Sequence, residues 1–251
     1  MAEESDQLYG KLCSLYYDLK EKYACTAEVD FYSTFIKKGT RTLEAMSGSG
    51  RLQIPLLKLG YEVDGVDSSL DMLERCRQRC ELLQLTPLLY QQKLEELSLE
   101  HTYNLILIVM GSFQLIADKK SALQALHRLH DHMYGGSTLL IDIFTPDTTQ
   151  NNTQDTNRST DIIRIDSKSA IHVSKRYIFH EQKQQVDALC SYELIVDGMV
   201  EKREHELMHF AWYTDAEFIE LLRQAGFEYR ATHEKFFQAH RLSRIIQATA
   251  L

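Results

Sequence analysis

The sequence predicts a doubly wound α/β protein with a seven-stranded sheet, an N-terminal helical lid and an antiparallel β insertion. Two observations lead to this prediction. Short apolar strands alternate with helices five times between residues 40 and 144, which is typical of a largely parallel sheet. After residue 146 the chain changes to short runs of alternating apolar and polar residues, which indicate antiparallel strands.

Residues 1–38 are predicted to form the helical lid. Aromatic and apolar side chains recur in this segment at the spacing of a helix face. The residues that mark the first helix are Tyr9, Leu12, Tyr16 and Leu19. A second helix is predicted from about residue 27 to residue 36, and Gly39 follows it as a stop signal.

Residues 39–146 are predicted to form the α/β core that binds a cofactor. Its five predicted strands are 40–46, 61–66, 87–91, 103–110 and 137–144. The fourth of these is apolar almost throughout, as expected for a central strand that is covered on both faces. The helix before the fifth strand is predicted to end at Gly135. Its apolar positions are Leu123, Leu126, Leu129 and Met133.

Residues 147–211 are predicted to be an antiparallel insertion that covers the substrate. The segment 147–160 is rich in Thr, Asn, Gln and Asp, which predicts a surface loop. Asp197 and Gly198 separate two alternating runs, and this dipeptide predicts a tight β-hairpin.

Residues 212–251 are predicted to complete the core sheet. Thr214 is positioned to cap a helix that ends near Gly226. A reversed pair of strands is predicted after it, near 227–233 and 244–248.

The composition limits the kinds of partner. The chain has 251 residues and a formal net charge of −8. Non-specific nucleic-acid binding depends on Lys and Arg contacts to phosphate, so the acidic balance argues against a nucleic-acid partner. The first residues lack the segments of a secretory signal, and the longest apolar runs are too short to span a bilayer. Five cysteines without framework spacing add to the prediction of a cytoplasmic protein without a membrane segment.

A glycine-containing turn followed by an acidic strand end predicts a nucleoside-binding site. Gly48 and Gly50 let the backbone after the first strand turn sharply and approach a ligand closely. The next helix points its N-terminal N–H groups toward the same place. Asp67, at the carboxyl end of the second strand, can accept hydrogen bonds from two ribose hydroxyls. Open α/β sheets bind ligands in this crevice, so the pattern predicts a cofactor that contains a nucleoside.

The spacing of the glycines argues against two common classes of nucleotide site. A dinucleotide-binding turn has a third glycine, whereas the corresponding part of this chain continues into Gln53. The sequence also has no phosphate-binding lysine motif, which disfavours ATP. A nicotinamide-dependent oxidoreductase therefore stays as a less favoured alternative.

The same turn and the strand after it carry a family resemblance. Residues 43–50, LEAMSGSG, resemble the E-x-G-x-G-x-G motif of class I S-adenosylmethionine-dependent methyltransferases. Residues 60–73, GYEVDGVDSSLDML, are similar to the same family, and the resemblance covers nearly the whole chain. It implies a Rossmann-like methyltransferase sheet, S-adenosylmethionine as the cofactor, and a subgroup that acts on small molecules.

The resemblance also implies roles for residues at the ends of the first two strands. Glu44 and the backbone from Ala45 to Gly50, with Met46 and Gly48 between them, would surround the methionine part of the cofactor. The remaining residues of this group are Asp67 on the ribose, and Ser68 and Met72 against the adenine.

Three further groups of residues are implied to bind the cofactor. The first follows the third strand, the second follows the fourth strand, and the last lies on the N-terminal helices. They are Gln92, Lys93 and Leu94 at the adenine edge, Met110 and Gly111 at the sulfonium side, and Tyr16 or Tyr17 over the carboxylate.

Two residues depart from the family pattern. Met46 stands where the first glycine of the motif is usual. Gln92 replaces the acidic residue that commonly follows the third strand, although its side-chain oxygen can still accept a hydrogen bond from the adenine amino group. These departures motivate a second alternative, a noncatalytic protein that binds S-adenosylmethionine without transferring its methyl group.

The methyl acceptor is predicted to be a small molecule enclosed by the lid and the insertion. In-line alignment supplies most of the rate of such a transfer, so no catalytic residue is assigned. The histidines within 127–132 have no acidic or cysteine ligand beside them, and no metal is predicted. Edge strands of the insertion are a candidate surface for a homodimer. The candidate substrate-binding residues are Phe113, Arg164, Arg176, His209 and Trp212.

Overall fold

A computed structural model describes residues 9–145, 158–234 and 243–251 of the chain. It contains two separate sheets, one of seven strands and one of four. The surface loop predicted over 147–160 lies mostly outside the described residues, as do the first eight residues of the predicted lid.

The larger sheet confirms the predicted fold class. Its strands are β1 (Arg41–Ala45), β2 (Glu62–Asp67), β3 (Leu89–Gln91), β4 (Tyr103–Ile108), β5 (Met133–Phe144), β10 (Phe227–Glu234) and β11 (Ser243–Ala250). They are arranged in the order β10-β11-β5-β4-β1-β2-β3. The first five strands are parallel to one another, so their carboxyl ends meet along one edge of the sheet.

Two details of this sheet differ from the prediction. β11 pairs antiparallel with both β5 and β10, so only β11 is reversed and β10 runs in the same direction as the first five strands. The fifth strand also begins earlier than predicted. Met133 pairs with Tyr103 of β4 instead of continuing the helix, because the helix ends at Asp131 and the His132 carbonyl accepts a hydrogen bond from the Tyr103 N–H.

Six α-helices accompany the strands in the described part of the chain. They are α1 (Lys11–Lys20), α2 (Thr26–Ser33), α3 (Gln53–Lys58), α4 (Leu70–Leu82), α5 (Lys119–Asp131) and α6 (Asp215–Gln224). Thr214 caps α6 as predicted, in a reciprocal capping box with Glu217. Measured by length and apolar character, each of these helices falls short of what a bilayer crossing requires.

Successive side chains of β4 pack in two different hydrophobic cores, one on each face of the larger sheet. Ile106 and Ile108 pack with α5 and α6 on one face of the sheet. Leu105 and Leu107 pack with α2 and α3 on the other face. All four side chains are at most 2% exposed, and this explains why the strand is apolar at each of these consecutive positions.

The smaller sheet is the predicted antiparallel insertion. Its strands are β6 (Arg158–Arg164), β7 (Ser169–His180), β8 (Gln185–Val196) and β9 (Met199–Ala211), in the order β6-β7-β8-β9. The hairpin predicted at Asp197-Gly198 is confirmed. Both residues have positive φ, 47° and 80°, as in the two-residue turns that match the twist of paired strands.

Helix α1 packs on the inner face of the smaller sheet and is also tied to the larger one. Leu12 and Tyr16 belong to the same apolar cluster as Tyr192 of β8. Two carboxylates of β9 hold the start of the helix. Glu206 accepts from the Gly10 N–H and Glu204 from the Leu12 N–H, each at 2.7 Å. These contacts fix the helix across the mouth of the crevice between the sheets.

A buried arginine connects α1 with the glycine turn. Arg79 of α4 donates to Asp18 of α1 at 3.2 Å and to the Ser49 carbonyl at 2.9 Å. It also donates to the Lys22 carbonyl, and its guanidinium lies 4.6 Å from the ring centroid of Tyr23. The lid segment and the turn therefore share one buried cation.

Gly50 provides a test of how tightly the turn is packed. Its φ is 81°, and a β-carbon there would lie 2.6 Å from the Cys76 sulfur and 3.1 Å from Ile54. Gly39 has a similar φ of 75° with open space around it. We expect Gly50→Ala to lower the free energy of unfolding by about 1–3 kcal/mol more than Gly39→Ala does, because only the first adds overpacking. Urea denaturation of both variants measures this difference, and equal losses would contradict it.

Candidate active site

A large cavity lies between the carboxyl ends of the parallel strands, helix α1 and the smaller sheet. Its volume is about 1460 Å³. Typical pockets for one small ligand measure roughly 300–1,000 Å³. The cavity therefore has room for a cofactor and a second small molecule at the same time.

The turn after β1 forms one wall of this cavity. The Ser47 N–H donates to the Val66 carbonyl of β2, and the Gly50 N–H donates to the Ser47 carbonyl. Gly48, between them, has a φ of 55°, and the space around its α-carbon is open apart from the Met72 sulfur at 3.8 Å from a β-carbon position. A ligand can therefore approach the backbone of the turn at Gly48.

Asp67 ends β2 beside this turn and is held by two backbone amides. The Gly48 N–H donates to its Oδ2 and the Ser69 N–H to its Oδ1, both at 2.8 Å. Burial raises the pKa of the Asp67 carboxyl, and the amide hydrogen bonds partly oppose the rise. Each carboxylate oxygen keeps a further lone pair, and the residue lines the cavity, so hydroxyl donors of a ligand can bind there.

Glu44 of β1 places a second carboxylate in the cavity wall. Its side chain is buried, and its Oε2 has no hydrogen-bond partner among the described residues. Burial raises the pKa of Glu44 to about 8, although the nearby Arg51 guanidinium lowers it. Arg51 itself donates to both carboxylate oxygens of Glu28 in α2, at 2.7 and 2.5 Å. Glu44 thus offers a free acceptor for a ligand cation.

The segment after β3 lines the far end of the cavity. Lys93 and Leu94 lie on the wall with Gln92. The Gln92 side chain is already engaged, because its Nε2 donates to the Ser98 carbonyl at 3.0 Å and its Oε1 accepts from the Ser98 N–H at 2.8 Å. Gln92 therefore closes the loop from 92 to 98, and its side-chain oxygen has one lone pair left for a ligand.

Three residues with positive φ surround the central part of the cavity. Met46 has a φ of 59°, Met110 of 62° and Gly111 of 71°. A β-carbon at Gly111 would lie 2.6 Å from the Phe144 ring, so a glycine is required there. Gln114 fixes the neighbouring strand end, since its amide bonds the Phe144 N–H, the Phe144 carbonyl and the Ala211 carbonyl.

Tyrosines of the lid segment form the part of the cavity wall that helix α1 and the residues before it contribute. Tyr17 lines it, with its ring centroid 5.6 Å from that of Tyr9 and 5.5 Å from that of Tyr16. Burial raises the pKa of Tyr9 and Tyr17, so both hydroxyls stay protonated at neutral pH. The Tyr9 carbonyl also accepts a hydrogen bond from Ser69 at 2.9 Å, which ties the lid to the end of β2.

The smaller sheet supplies the wall opposite the parallel strands. Side chains alternate between the two faces of a strand, and every second residue over 175–179 of β7, 186–190 of β8 and 208–210 of β9 lines the cavity. These residues are Lys175, Tyr177, Phe179, Val186, Ala188, Cys190, Met208 and Phe210.

Most of the predicted cofactor-binding residues lie together on the cavity wall. Ala45 and Gly50 are exceptions, because both are packed behind the turn rather than facing the cavity. The predicted residues that line the cavity are Tyr17, Glu44, Met46, Gly48, Asp67, Ser68, Met72, Gln92, Lys93, Leu94, Met110 and Gly111, together with the alternative Tyr16.

The predicted substrate-binding residues do not line the cavity. Arg176 and His209 lie on the outer face of the smaller sheet, one position out of step with the residues that point inward. His209 is paired there with Asp187 at 2.6 Å. Arg164 is exposed on the edge strand β6. These three residues therefore do not line this cavity.

Phe113 and Trp212 are buried instead of facing a ligand. Phe113 is fully buried in the main core, with its ring against Phe218 at a centroid distance of 5.7 Å. Trp212 is 8% exposed and directly follows β9. The Phe113 side chain therefore stabilises the core, which is the commoner use of a large aromatic residue, and Trp212 is buried without lining the cavity.

No group of three metal-ligating side chains occurs in the described residues. Two of the three histidines within 127–132 have structural contacts. The His130 ring packs on Phe227 at a centroid distance of 5.2 Å, and His132 Nε2 accepts from the Leu99 N–H at 2.8 Å.

Comparison with known protein families identifies the part of the chain that carries this site. Residues 42–133, from β1 to the start of β5, match the family model described as a methyltransferase domain. This segment of the chain is similar to a methyltransferase domain. A relative from Geobacillus sp. (strain WCH70), named as a methyltransferase, is 24% identical over 221 residues, which cover 83% of this chain and 80% of the relative.

Solved structures share the fold of this methyltransferase domain together with the insertion. An S-adenosylmethionine-dependent methyltransferase from Clostridium acetobutylicum has a TM-score of 0.74 at 17% identity, covering 97% of this chain and 99% of its own. A sugar N-methyltransferase from Streptoalloteichus sp. has a TM-score of 0.74 at 18% identity, with 98% of each chain covered. The predicted family resemblance is therefore confirmed at the level of domain and fold.

A third structure was solved with S-adenosylmethionine bound. It is an amino pentose methyltransferase from Micromonospora echinaspora, with a TM-score of 0.71 at 13% identity. The match covers 98% of this chain and 99% of that one. The cofactor predicted for the present methyltransferase domain is the one named for this neighbour.

Gln53 explains why the turn does not suit a dinucleotide. Its buried side chain donates to the Val63 carbonyl of β2 at 3.0 Å and lies 3.4 Å from the Cys76 sulfur. A third glycine would leave this space free for close packing of helix and strand. Here the glutamine amide fills it, which agrees with the prediction that the turn does not bind a dinucleotide.

The inward residues of the smaller sheet were not identified from the sequence. The sequence does carry a signal for them, because large apolar side chains occupy every second position in parts of β7 and β9. Examples are Tyr177 with Phe179 and Met208 with Phe210. The charged candidates Arg176 and His209 directly precede or follow these residues in sequence, so their side chains point to the outer face. The lid residue Lys20 and the cavity residue Arg51 were also missed.

Met46 provides a direct test of backbone strain in the turn. A non-glycine residue in the left-handed region costs about 1–2 kcal/mol. Met46→Ala and Met46→Gly both remove the side chain, but only glycine relieves the φ of 59°. We expect the glycine variant to be more stable than the alanine variant by about 1 kcal/mol in urea denaturation. The opposite order, which is usual for ordinary helix and strand positions, would show that the turn is not strained.

Proposed function

We propose that this protein transfers a methyl group from S-adenosylmethionine to a small-molecule acceptor by in-line displacement. The observation that carries the proposal is a pair of carboxylates, Glu44 and Asp67, at neighbouring strand ends in one cavity of about 1460 Å³. The match of residues 42–133 to a methyltransferase domain supports it.

The residues present fit the chemical groups of this cofactor. The buried Glu44 Oε2 lacks a partner among the described residues, so it can accept from the ammonium group of a methionine moiety. The Asp67 carboxylate is oriented by two amides and can accept from ribose hydroxyls. Gly48 leaves the backbone open, and Met72 offers an apolar surface for a base. We therefore propose that the cavity-lining residues predicted from the sequence hold the cofactor.

The chain's own contribution to transfer is alignment and exclusion of water. When bound, S-adenosylmethionine supplies a methyl carbon that bonds to the acceptor as the carbon–sulfur electron pair returns to sulfur and the acceptor's proton leaves to solvent. Alignment of two bound reactants can contribute up to roughly 7–11 kcal/mol. Tyr9, Tyr16 and Tyr17 cover the cavity, and the smaller sheet closes the opposite side.

The enclosure favours a small acceptor. Helix α1 and the smaller sheet cover the strand ends, and the structural neighbours include a sugar and an amino pentose methyltransferase.

We propose that the chain is divided into a lid (1–38), a cofactor-binding core (39–146), a covering insertion (147–211) and a segment that completes the core sheet (212–251). We also propose a cytoplasmic location, because its five unpaired cysteines agree with a reducing compartment. The homodimer stays a prediction.

Calorimetric titration with S-adenosylmethionine tests the proposal. We expect Asp67→Asn to weaken binding at least roughly tenfold, because a charge-assisted acceptor for hydroxyl groups is lost. Asp71→Asn, four residues later on α4 and outside the cavity, is the matched control and should bind like the wild type. Absence of binding to the wild type would overturn the function. Binding without methyl transfer across a broad acceptor panel would instead favour the noncatalytic alternative.

Glu44 should make cofactor binding depend on pH. Its pKa is raised to about 8, and a bound ammonium group selects the ionised form, so binding below pH 8 must release a proton. We expect the affinity of the wild type to rise roughly tenfold between pH 6 and pH 7. Glu44→Gln should lack this dependence, whereas Glu62→Gln, at the exposed start of β2, should keep it. A Glu44→Gln profile that matches the wild type would contradict the assignment.

A further inference from the structure

The wall formed by the smaller sheet is organised in three rows across β7, β8 and β9. The members of each row are paired across neighbouring strands and so lie side by side. Successive rows are two residues apart along each strand. The rows are Lys175–Cys190–Glu206, Tyr177–Ala188–Met208 and Phe179–Val186–Phe210. One row is polar and the other two are apolar.

Lys175 is the one charged residue that this sheet, in its described part, presents to the cavity. Its Nζ lies 5.2 Å from the Tyr16 ring centroid and 5.3 Å from the Tyr17 ring centroid. Within the described residues no carboxylate approaches this Nζ to 4 Å, whereas Lys20 is paired with Asp161 at 2.6 Å. Two aromatic faces thus hold the Lys175 ammonium in place without neutralising it.

The polar row offers no carboxylate to the cavity beside this ammonium. Glu206 is turned to the start of α1, where it accepts from the Gly10 N–H, and it does not line the cavity. Cys190, between the two, is buried, and its raised pKa keeps it a neutral thiol. The local charge that a ligand meets at this end is therefore positive, although the chain as a whole is acidic.

The two apolar rows form a surface of the size of fused rings. Four residue steps along β7, from Lys175 in the polar row to Phe179, span about 13 Å, and three neighbouring strands span about 10 Å. Phe144 packs against Phe210 at the far end, with ring centroids 6.1 Å apart. A sugar would leave its hydroxyls against these side chains without hydrogen-bond partners, which costs free energy.

We propose that the acceptor is an organic anion with an apolar, ring-containing body. The ammonium of Lys175 binds its anionic group, and the rows of Tyr177 and Phe179 bind its body. Lys175 would repel a cationic amine, so the acceptor differs in charge from an amino sugar. The assignment rests on the proposed function, since it names the class of acceptor for the same cavity.

Two fluorescent probes with the same ring skeleton test this assignment. 1-Anilinonaphthalene-8-sulfonate carries an anion, and N-phenyl-1-naphthylamine does not. In fluorescence titrations we expect Lys175→Gln to weaken binding of the anionic probe at least tenfold and to change binding of the neutral probe less than twofold. Lys175→Arg should restore binding of the anionic probe. Equal effects of Lys175→Gln on both probes would overturn the proposal.

Arg176→Gln is the matched control for charge. It removes one positive charge from the next residue of the same strand, but on the outer face. Binding of either probe should not change in Arg176→Gln. If this variant lost as much affinity for the anionic probe as Lys175→Gln does, net charge alone would explain both losses, and the proposal would be overturned. Thermal denaturation of each variant confirms that it is folded.

A turnover experiment separates this proposal from the proposed function. Labelled methyl transfer is measured with hydroxynaphthoic acids and with their carboxamides. We expect methylation of the acids, with a KM that rises at least tenfold in Lys175→Gln. Equal methylation of acids and carboxamides would overturn the acceptor class and leave the methyltransferase intact. Failure of the wild type to bind S-adenosylmethionine, with probe binding still dependent on Lys175, would overturn the function and leave the anion site intact.

Discussion

The hydrogen bond between the Gly48 amide and the Asp67 carboxylate organises the whole site. It joins the ends of β1 and β2, and the second oxygen of Asp67 holds the Ser69 amide at the start of α4. Ser69 in turn caps α4 through Met72 and donates to the Tyr9 carbonyl. The Asp67 carboxylate thus connects the turn after β1, helix α4 and the lid segment. The end of β2 therefore helps to fix the position of the lid over the cavity.

The buried carboxylates around the cavity differ in whether backbone amides occupy their oxygens. Asp67 and Glu206 are held by backbone amides and stabilise the positions of the turn and of α1. Glu44 has a free oxygen in the wall, and burial disfavours its charge until a cation pairs with it. Lys175, on the wall formed by the smaller sheet, is a cation that two aromatic rings hold in place. Acids of the same cavity therefore differ in whether they stabilise the fold or remain open to a ligand.

Sequence reasoning predicted the features that are encoded locally. The strand–helix alternation, the Asp197-Gly198 hairpin and the Glu44, Gly48 and Asp67 positions follow from short patterns, because turn geometry and strand ends depend on neighbouring residues. The acceptor side was not predicted. Which face of β7 and β9 points inward depends on how α1 packs against them, a contact between segments about 150 residues apart or more, and a shift of one residue reverses every side chain. Arg176 and His209 were misplaced for this reason.

Helix α1 reaches both walls of the cavity, since Tyr17 lines it and Tyr16 lies beside Lys175 of the smaller sheet. Glu204 and Glu206 hold the start of this helix, and Arg79 holds it at Asp18. Under the proposed function, one helix covers both the cofactor and the acceptor. A displacement of this helix would therefore expose both parts of the cavity together.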